Sequence, residues 1–395
     1  LVFQIEINLT RLYFFSVQMF FMASSLCHTL VQPFFIATLY TIKGGTGLID
    51  QSWRGKISNT AQLGGIETSV LDNGAGRGTR IAWINTGTGL RFKVVIDRAM
   101  DIAETFYSQH SIAWLSQGGI TAPEPFSNYG LDWLKTFGGG LLTTCGLSHV
   151  GGPEADEFGQ RGLHGQISNI AAEIESIIQP DPTAGKMEMS ITGRMKESRV
   201  LGPNLELKRT ISATLGQATI RIHDEVVNRG NTPAPHMLLY HFNFGWPLVN
   251  EGTDIIWDGK WQTREGVTNN KIFKEGNNFK RCPGTLAEHA GTGEEVAMID
   301  IAADTSGWCT CGLHNSRLGL ALSLRFKKEQ LPWLINWQHW GEGEYVTGLE
   351  PATNPLIGQA KARERKELIF LQPGEIRSYD LELEVVQATG SSVRF

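Results

Sequence analysis

Apolar and polar residues alternate with a period of two along much of the chain after Lys43. In LQPGEIRSYDLELEVV a Pro-Gly turn at 373 and 374 leads into Leu381, Leu383 and Val385, expected to face a core while Asp380, Glu382 and Glu384 face water. TIRIHDEVVNRG, residues 219 to 230, alternates Ile220, Ile222 and Asp224 and closes on the turn residues Asn228 and Gly230. KMEMSITGRM, from Lys186, sets Met187, Met189 and Ile191 on one side. Such segments are strands with one buried face, and Gly, Asn and Asp recur between them as turns. The pattern predicts an all-β protein, a large antiparallel β-sandwich with few short helices. The best helical stretch is LDWLKTF, residues 131 to 137, which the glycines 138 to 140 would end. No repeat, linker or charge block marks a second domain, so one domain is expected over about residues 41 to 390.

Residues 1 to 40 break the pattern and are expected to lie outside that domain as an N-terminal extension. From Arg11 to Tyr40 the chain is apolar and aromatic, but Ser16, Gln18, Ser24, Ser25, His28 and Gln32 interrupt it. A membrane span needs about 20 predominantly apolar residues. A signal peptide with Leu12 to Met22 as its apolar region fits better, and so does an upstream over-extension of a chain that natively starts at Met22 or later. The expected compartment is the cytoplasm, or the periplasm or exterior if residues 11 to 30 are a signal peptide.

Composition narrows the partners. The 395 residues carry a formal net charge of −5 and no polybasic run, which gives no reason to expect nucleic acid. With 45 Gly, 11 Trp and 19 Phe the chain suits tight turns and aromatic ligand surfaces, although aromatic residues more often fill ordinary cores. A small molecule or another protein is the expected partner, in an oligomeric state the sequence leaves open. The cysteines 27, 145, 282, 309 and 311 are odd in number and irregularly spaced, so reduced thiols are expected, and the lone CxC at 309 and 311 is a poor zinc site.

Several motifs fail on inspection. NGAGRGTR, residues 73 to 80, lacks the phosphate-loop pattern and reads as a hairpin turn. His236 and His241 have no HExxH arrangement, and no GxSxG occurs. Neither a metal nor a cofactor is expected. Three other stretches each set a titratable residue among glycines and aromatics: RGLHGQISN with His164, LLYHFNFGWP with His241, and EYVTGLEPATNP with Glu350. Taken singly, each is more often structural than chemical.

Together they resemble the aldose 1-epimerase (galactose mutarotase-like) superfamily, and more closely its DUF4432 branch. The resemblance rests on His164-Gly165, on VVNRGNTPAPHMLLYHFNF, on GLEPATNP and on the late LQPGE. VVIDRAMDIAE, with Arg98 and Asp101, is similar to the DRGMDI segment of that branch. The chain departs from ordinary mutarotases in having Phe242, Asn243 and Phe244 after the second histidine, and no Asn before the first. The resemblance implies the mutarotase-like supersandwich and an isomerase that interconverts the anomers of an aldose or modified sugar. The small-molecule partner would then be a carbohydrate.

Ring opening needs one group to take the proton of the anomeric hydroxyl and another to protonate the ring oxygen. The resemblance implies Glu350 as base, His241 as protonated acid and His164 as a hydrogen-bond donor. Further substrate contacts are expected from Asn243, which shares the His241 face, and from Gln166 and Asn354. Stacking surfaces are sought among Trp246, Trp337, Trp340 and Tyr345. Arg98 would bind an anionic substituent or else pair with Asp101. Two other functions stay open: a non-catalytic carbohydrate-binding protein, and an epimerase or lyase using the same acid-base pair on a modified sugar.

Overall fold

A computed structural model describes residues 51–125, 129–264 and 270–388, and the expectations for residues 1–40 lie outside them. The described residues belong to one compact unit. Two large sheets dominate. One has twelve strands, with the central order Asp101–Tyr107, Leu142–Leu147, Ala234–Phe244, Glu344–Ala352, Trp333–Gly341 and Glu295–Ile301. The other has eight, among them Trp308–Asn315, Leu320–Lys327, Ile376–Gln387, Thr219–Asn228, Asn204–Thr214 and Glu188–Ser198. Neighbouring strands in both sheets run antiparallel. This is the large antiparallel β-sandwich that the alternation predicts.

The alternation read from sequence decides what the sheets bury. Leu381, Leu383 and Val385 are at most 3% exposed, as are Met189, Ile191, Ile220 and Ile222. They join one core with Leu238, Tyr240, Phe242 and Trp340 of the larger sheet. Burial of such side chains contributes roughly 1.5–3 kcal/mol each. NGAGRGTR closes the hairpin between Gly65–Val70 and Arg80–Asn85. The cysteines 145, 282, 309 and 311 are free and buried, and no helix among the described residues is long and apolar enough to cross a membrane.

Within the core lies an ionic tie between the sheets. Arg209, fully buried, donates to Asp224 through Nη2 at 2.7 Å and Nε at 3.0 Å, to Thr144 Oγ1 at 2.7 Å and to the Ala99 carbonyl at 3.1 Å. Tyr240 donates to Asp224 at 2.7 Å. Asp101 accepts from the Thr144 amide and hydroxyl, and its Oδ1 lies 3.4 Å from Arg209.

The opposite face of the larger sheet carries a second, smaller apolar cluster that includes Cys145, Met237, Leu239, Val296, Ile335 and Trp133. The predicted helix forms here, but only over Trp133–Thr136. The glycines after it serve packing as well as termination: a Cβ at Gly138 would lie 2.3 Å from the Gly119 carbonyl oxygen. A second helix, Gly358–Glu364, carries no strong sequence signal.

Candidate active site

His241 and Glu350 sit on adjacent central strands, Ala234–Phe244 and Glu344–Ala352. Because side chains alternate, Tyr240 and Leu349 turn into the inter-sheet core while His241 and Glu350 turn to the other face. There they line a cavity of about 770 Å³ together with His164, a volume within the usual range for small-molecule sites. The three groups that the sequence set apart therefore share one cavity. Its walls are Trp114, Trp133, Phe137 and Trp337, and its charged groups include Lys135, Arg264, Glu294 and Glu344.

His241 Nε2 lies 3.4 Å from Glu350 Oε1. Both are nearly inaccessible, at 6% and 2% exposed. Glu350 owes its place to Gly348, since a Cβ at that position would stand 2.3 Å from Glu350 Oε1. His164 adopts a left-handed backbone with φ of 56°, a conformation that costs a non-glycine residue of order 1 kcal/mol. Its amide donates to the Gly151 carbonyl and its own carbonyl accepts from Gly146, which fixes the turn. The imidazole packs edge-on against Trp133 with centroids 4.9 Å apart, and against His241 at 6.1 Å. Trp337 and Phe137 flank His241 at 5.4 and 5.3 Å.

Burial sets the protonation of this cluster. It pushes the Glu350 carboxyl well above the ordinary carboxylate range, with repulsion from Glu294 adding to the effect and Arg264 opposing it. It lowers His241 to about 4, partly offset by the neighbouring Asn243 side chain, and lowers His164 well below its usual value. Burial thus favours the neutral imidazole and the protonated carboxyl, opposite in direction to the expected protonated His241 and ionised Glu350. Buried groups lacking partners are Glu350 Oε1, His164 Nδ1 and His241 Nδ1, the last beside the equally unpartnered Asn243 Oδ1. Groups left this way cost stability unless a ligand answers them.

The other expected contacts lie outside the cavity lining. Asn243 shares the His241 face but is fully buried, donating to the carbonyls of Gly140 and His241. Its position supports His241 rather than a ligand. Trp340 faces the inter-sheet core, where its indole donates to Gln338 and it packs on Tyr345. Asn354 is tied to the Glu367 carbonyl and to Thr353, and Gln166 heads the turn Ile167–Asn169. Arg98 does not pair with Asp101 in an ion contact. Its guanidinium donates to the carbonyls of Ser168 and Thr136 and to the Thr121 hydroxyl, tying three separate segments together, while Asp101 serves Arg209.

Sequence reasoning missed Trp133, Phe137, Arg264 and Glu294. Trp337 donates its indole N–H to Glu294 at 2.8 Å, and Arg264 pairs with the same carboxylate at 3.0 Å. Trp133 and Phe137 come from the predicted helix, whose aromatic spacing was the available signal. Among the described residues no group of three or more His, Cys, Asp or Glu side chains is placed to hold a metal.

Fold and cavity together define a member of the galactose mutarotase-like class. A family model described as a domain of unknown function, DUF4432, matches residues 76–385, and the chain belongs to that family. A Klebsiella pneumoniae protein described as a candidate aldose 1-epimerase is similar at 25% identity and a TM-score of 0.74, over 84% of this chain and 87% of that one. A galactose mutarotase-like protein from Clostridium acetobutylicum shares the fold at 11% identity and a TM-score of 0.58, over 82% and 98% of the two chains. An Escherichia coli K12 protein described as a candidate aldose 1-epimerase shares it at 14% and 0.52, over 76% and 97%. No curated protein matches the chain.

Proposed function

We propose that the protein interconverts the anomers of an aldose or modified sugar by acid-base ring opening. The observation that carries this reading is the buried His241–Glu350 pair, 3.4 Å apart and lining an aromatic cavity, where burial favours a protonated carboxyl beside a neutral imidazole. Ring opening needs one donor and one acceptor. Glu350 gives its proton to the ring oxygen as the C1–O5 bond breaks, and His241 takes the proton of the anomeric hydroxyl as C1=O1 forms. After rotation about C1–C2, the ring oxygen attacks the other face of C1. Its proton returns to Glu350, and His241 returns the other to O1. Atoms and charge balance, and neither group needs an external reagent. His164 donates a hydrogen bond to a sugar oxygen. Positioned acid-base groups contribute about 10²–10⁴ each, ample for a reaction that already proceeds in water.

Anomer exchange followed by NMR saturation transfer, across neutral, acidic and phosphorylated aldoses, tests the reading. Acceleration by wild type that disappears in Glu350→Gln supports it. Saturable sugar binding unaffected by that change, with no acceleration of any sugar, sinks it in favour of a binding protein. Proton exchange at a ring carbon points instead to other chemistry by the same pair.

A further inference from the structure

The stretch that supplies His241 continues into Gly245, Trp246 and Pro247, and Trp246 is 70% exposed. Few large aromatic side chains are left so open, and this one has a setting. It stands at a second cavity, of about 650 Å³, whose polar lining includes Ser111, Asn250, Glu251 and Thr285. Among the described residues neither the Glu251 carboxylate nor the Thr285 hydroxyl has a hydrogen-bond partner. The Tyr345 ring also lines this cavity, held by its hydroxyl donating to the Pro283 carbonyl.

The two cavities meet at Trp114, which lines both. On the side of the candidate active site Trp114 contacts Phe137 and Trp337, with centroids 5.9 and 6.1 Å away. Its backbone lies against Gly245, where a Cβ would stand 2.8 Å from Trp114 Cα. The Trp114 amide donates to the Asn243 carbonyl, and the Gly245 amide to that of Ile112. This close approach seats Trp246 beside the shared wall. The strand covers roughly 10 Å between His241 and Phe244, so a ligand touching both His241 and Trp246 is longer than one sugar ring.

We infer that the second cavity is a distal carbohydrate subsite, which takes the further sugar units of an oligosaccharide whose reducing end occupies the His241–Glu350 cavity. An open indole face suits the C–H face of a pyranose, and the free Glu251 carboxylate and Thr285 hydroxyl at its edge suit the ring hydroxyls. The inference rests on the sugar-binding reading of the first cavity. The shared Trp114 wall sets the two cavities side by side, which favours one elongated ligand as the occupant over a separate protein partner.

Fluorine NMR of the full chain labelled with fluorotryptophan tests it, with Trp246→Phe and Trp337→Phe assigning the two signals. The probes are glucose, galactose and their β-1,4-linked oligomers from disaccharide to tetrasaccharide. Oligomers are expected to move both signals and to bind about tenfold more tightly than the monosaccharide, the worth of one stacked ring. Trp246→Ala should abolish that gain and leave monosaccharide affinity unchanged. Sugars that move Trp337 and never Trp246, or a length-dependent gain that survives Trp246→Ala, overturn the subsite. Movement of Trp246 alone would make the second cavity a separate sugar site, overturning both the elongated ligand and the sugar reading of the first cavity. If no probe moves either signal, both fall.

Discussion

Tyr240 and His241 are adjacent on one strand, and each enters a buried cluster of titratable groups of opposite character. Tyr240 points between the sheets, where Arg209, Asp224, Asp101 and Thr144 saturate one another with hydrogen bonds. His241 points the other way, to Glu350 and His164, where Nδ1 of both imidazoles and Oε1 of the carboxyl lack buried partners. Burial alone does not separate the two, since Arg209 and Glu350 are equally inaccessible at 0% and 2% exposed. Satisfaction of the polar atoms does. The first cluster pairs its polar atoms internally and leaves nothing for a ligand, whereas the second withholds pairing and opens on a cavity.

The largest effect that sharpens this contrast belongs to the sealed cluster. Arg209→Met leaves Asp224 buried without its counter-charge, which should cost about 3–5 kcal/mol of stability. Urea denaturation measures it, and a loss below about 1 kcal/mol would mean that water reaches the cluster and that the distinction drawn from satisfaction is wrong.

The next effect is on rate. In Gly348→Ala the added Cβ would stand 2.3 Å from Glu350 Oε1. The obstacle is the end of a side chain rather than backbone, so the carboxyl moves and the fold stays. Anomer exchange should fall about 10²-fold, the usual consequence of misplacing a reacting group by about 1 Å. The denaturation midpoint should hardly change. Unaltered exchange would show that the observed carboxyl position is not the working one.

What the sequence disclosed, and what it hid, follows the same division. Alternation exposed Leu381, Leu383 and Val385 as core because a half-buried strand leaves that mark locally. His164 and Glu350 could be picked out because each sits beside glycine or proline, and His241 because it closes the motif VVNRGNTPAPHMLLYHFNF. Arg98 and Asp101 misled, since a charged pair in an apolar run looks alike whether it meets a ligand or closes an internal network. The residue that decides it, Arg209, lies more than a hundred positions away. Trp337 and Trp340 are three apart on one strand and so face opposite sides. Sequence says that only one of them can face the cavity, and the sheet packing says which. Arg264 and Glu294 stand outside any period, and only the folded chain brings them to Glu350.

The smallest effect is a slope, and it separates the two members of the pair. In the unfolded chain Glu350 titrates near 4.5 and His241 near 6.5. Between those values the unfolded pair carries one proton, on the histidine. The folded pair is expected to carry one as well, on the carboxyl, since burial lowers His241 to about 4 and raises Glu350 well above its ordinary value. Equal proton counts mean no net slope from the pair in this window. Above 6.5 the unfolded chain has lost that proton and the folded protein keeps it, so the pair lowers stability as pH rises until Glu350 ionises. The single variants should unmask the two halves. Glu350→Gln leaves only His241, whose unfolded state binds more protons between about 4 and 6.5, so stability should rise with pH there by up to about 1.4 kcal/mol per unit relative to wild type. His241→Asn leaves only Glu350, and stability should fall with pH from 4.5 upward. Urea denaturation at steps between pH 4 and 8 reads both slopes. Parallel profiles for wild type and the two variants would place Glu350 and His241 in a water-filled site with ordinary titration, and would erase the difference from the sealed cluster on the other side of the strand.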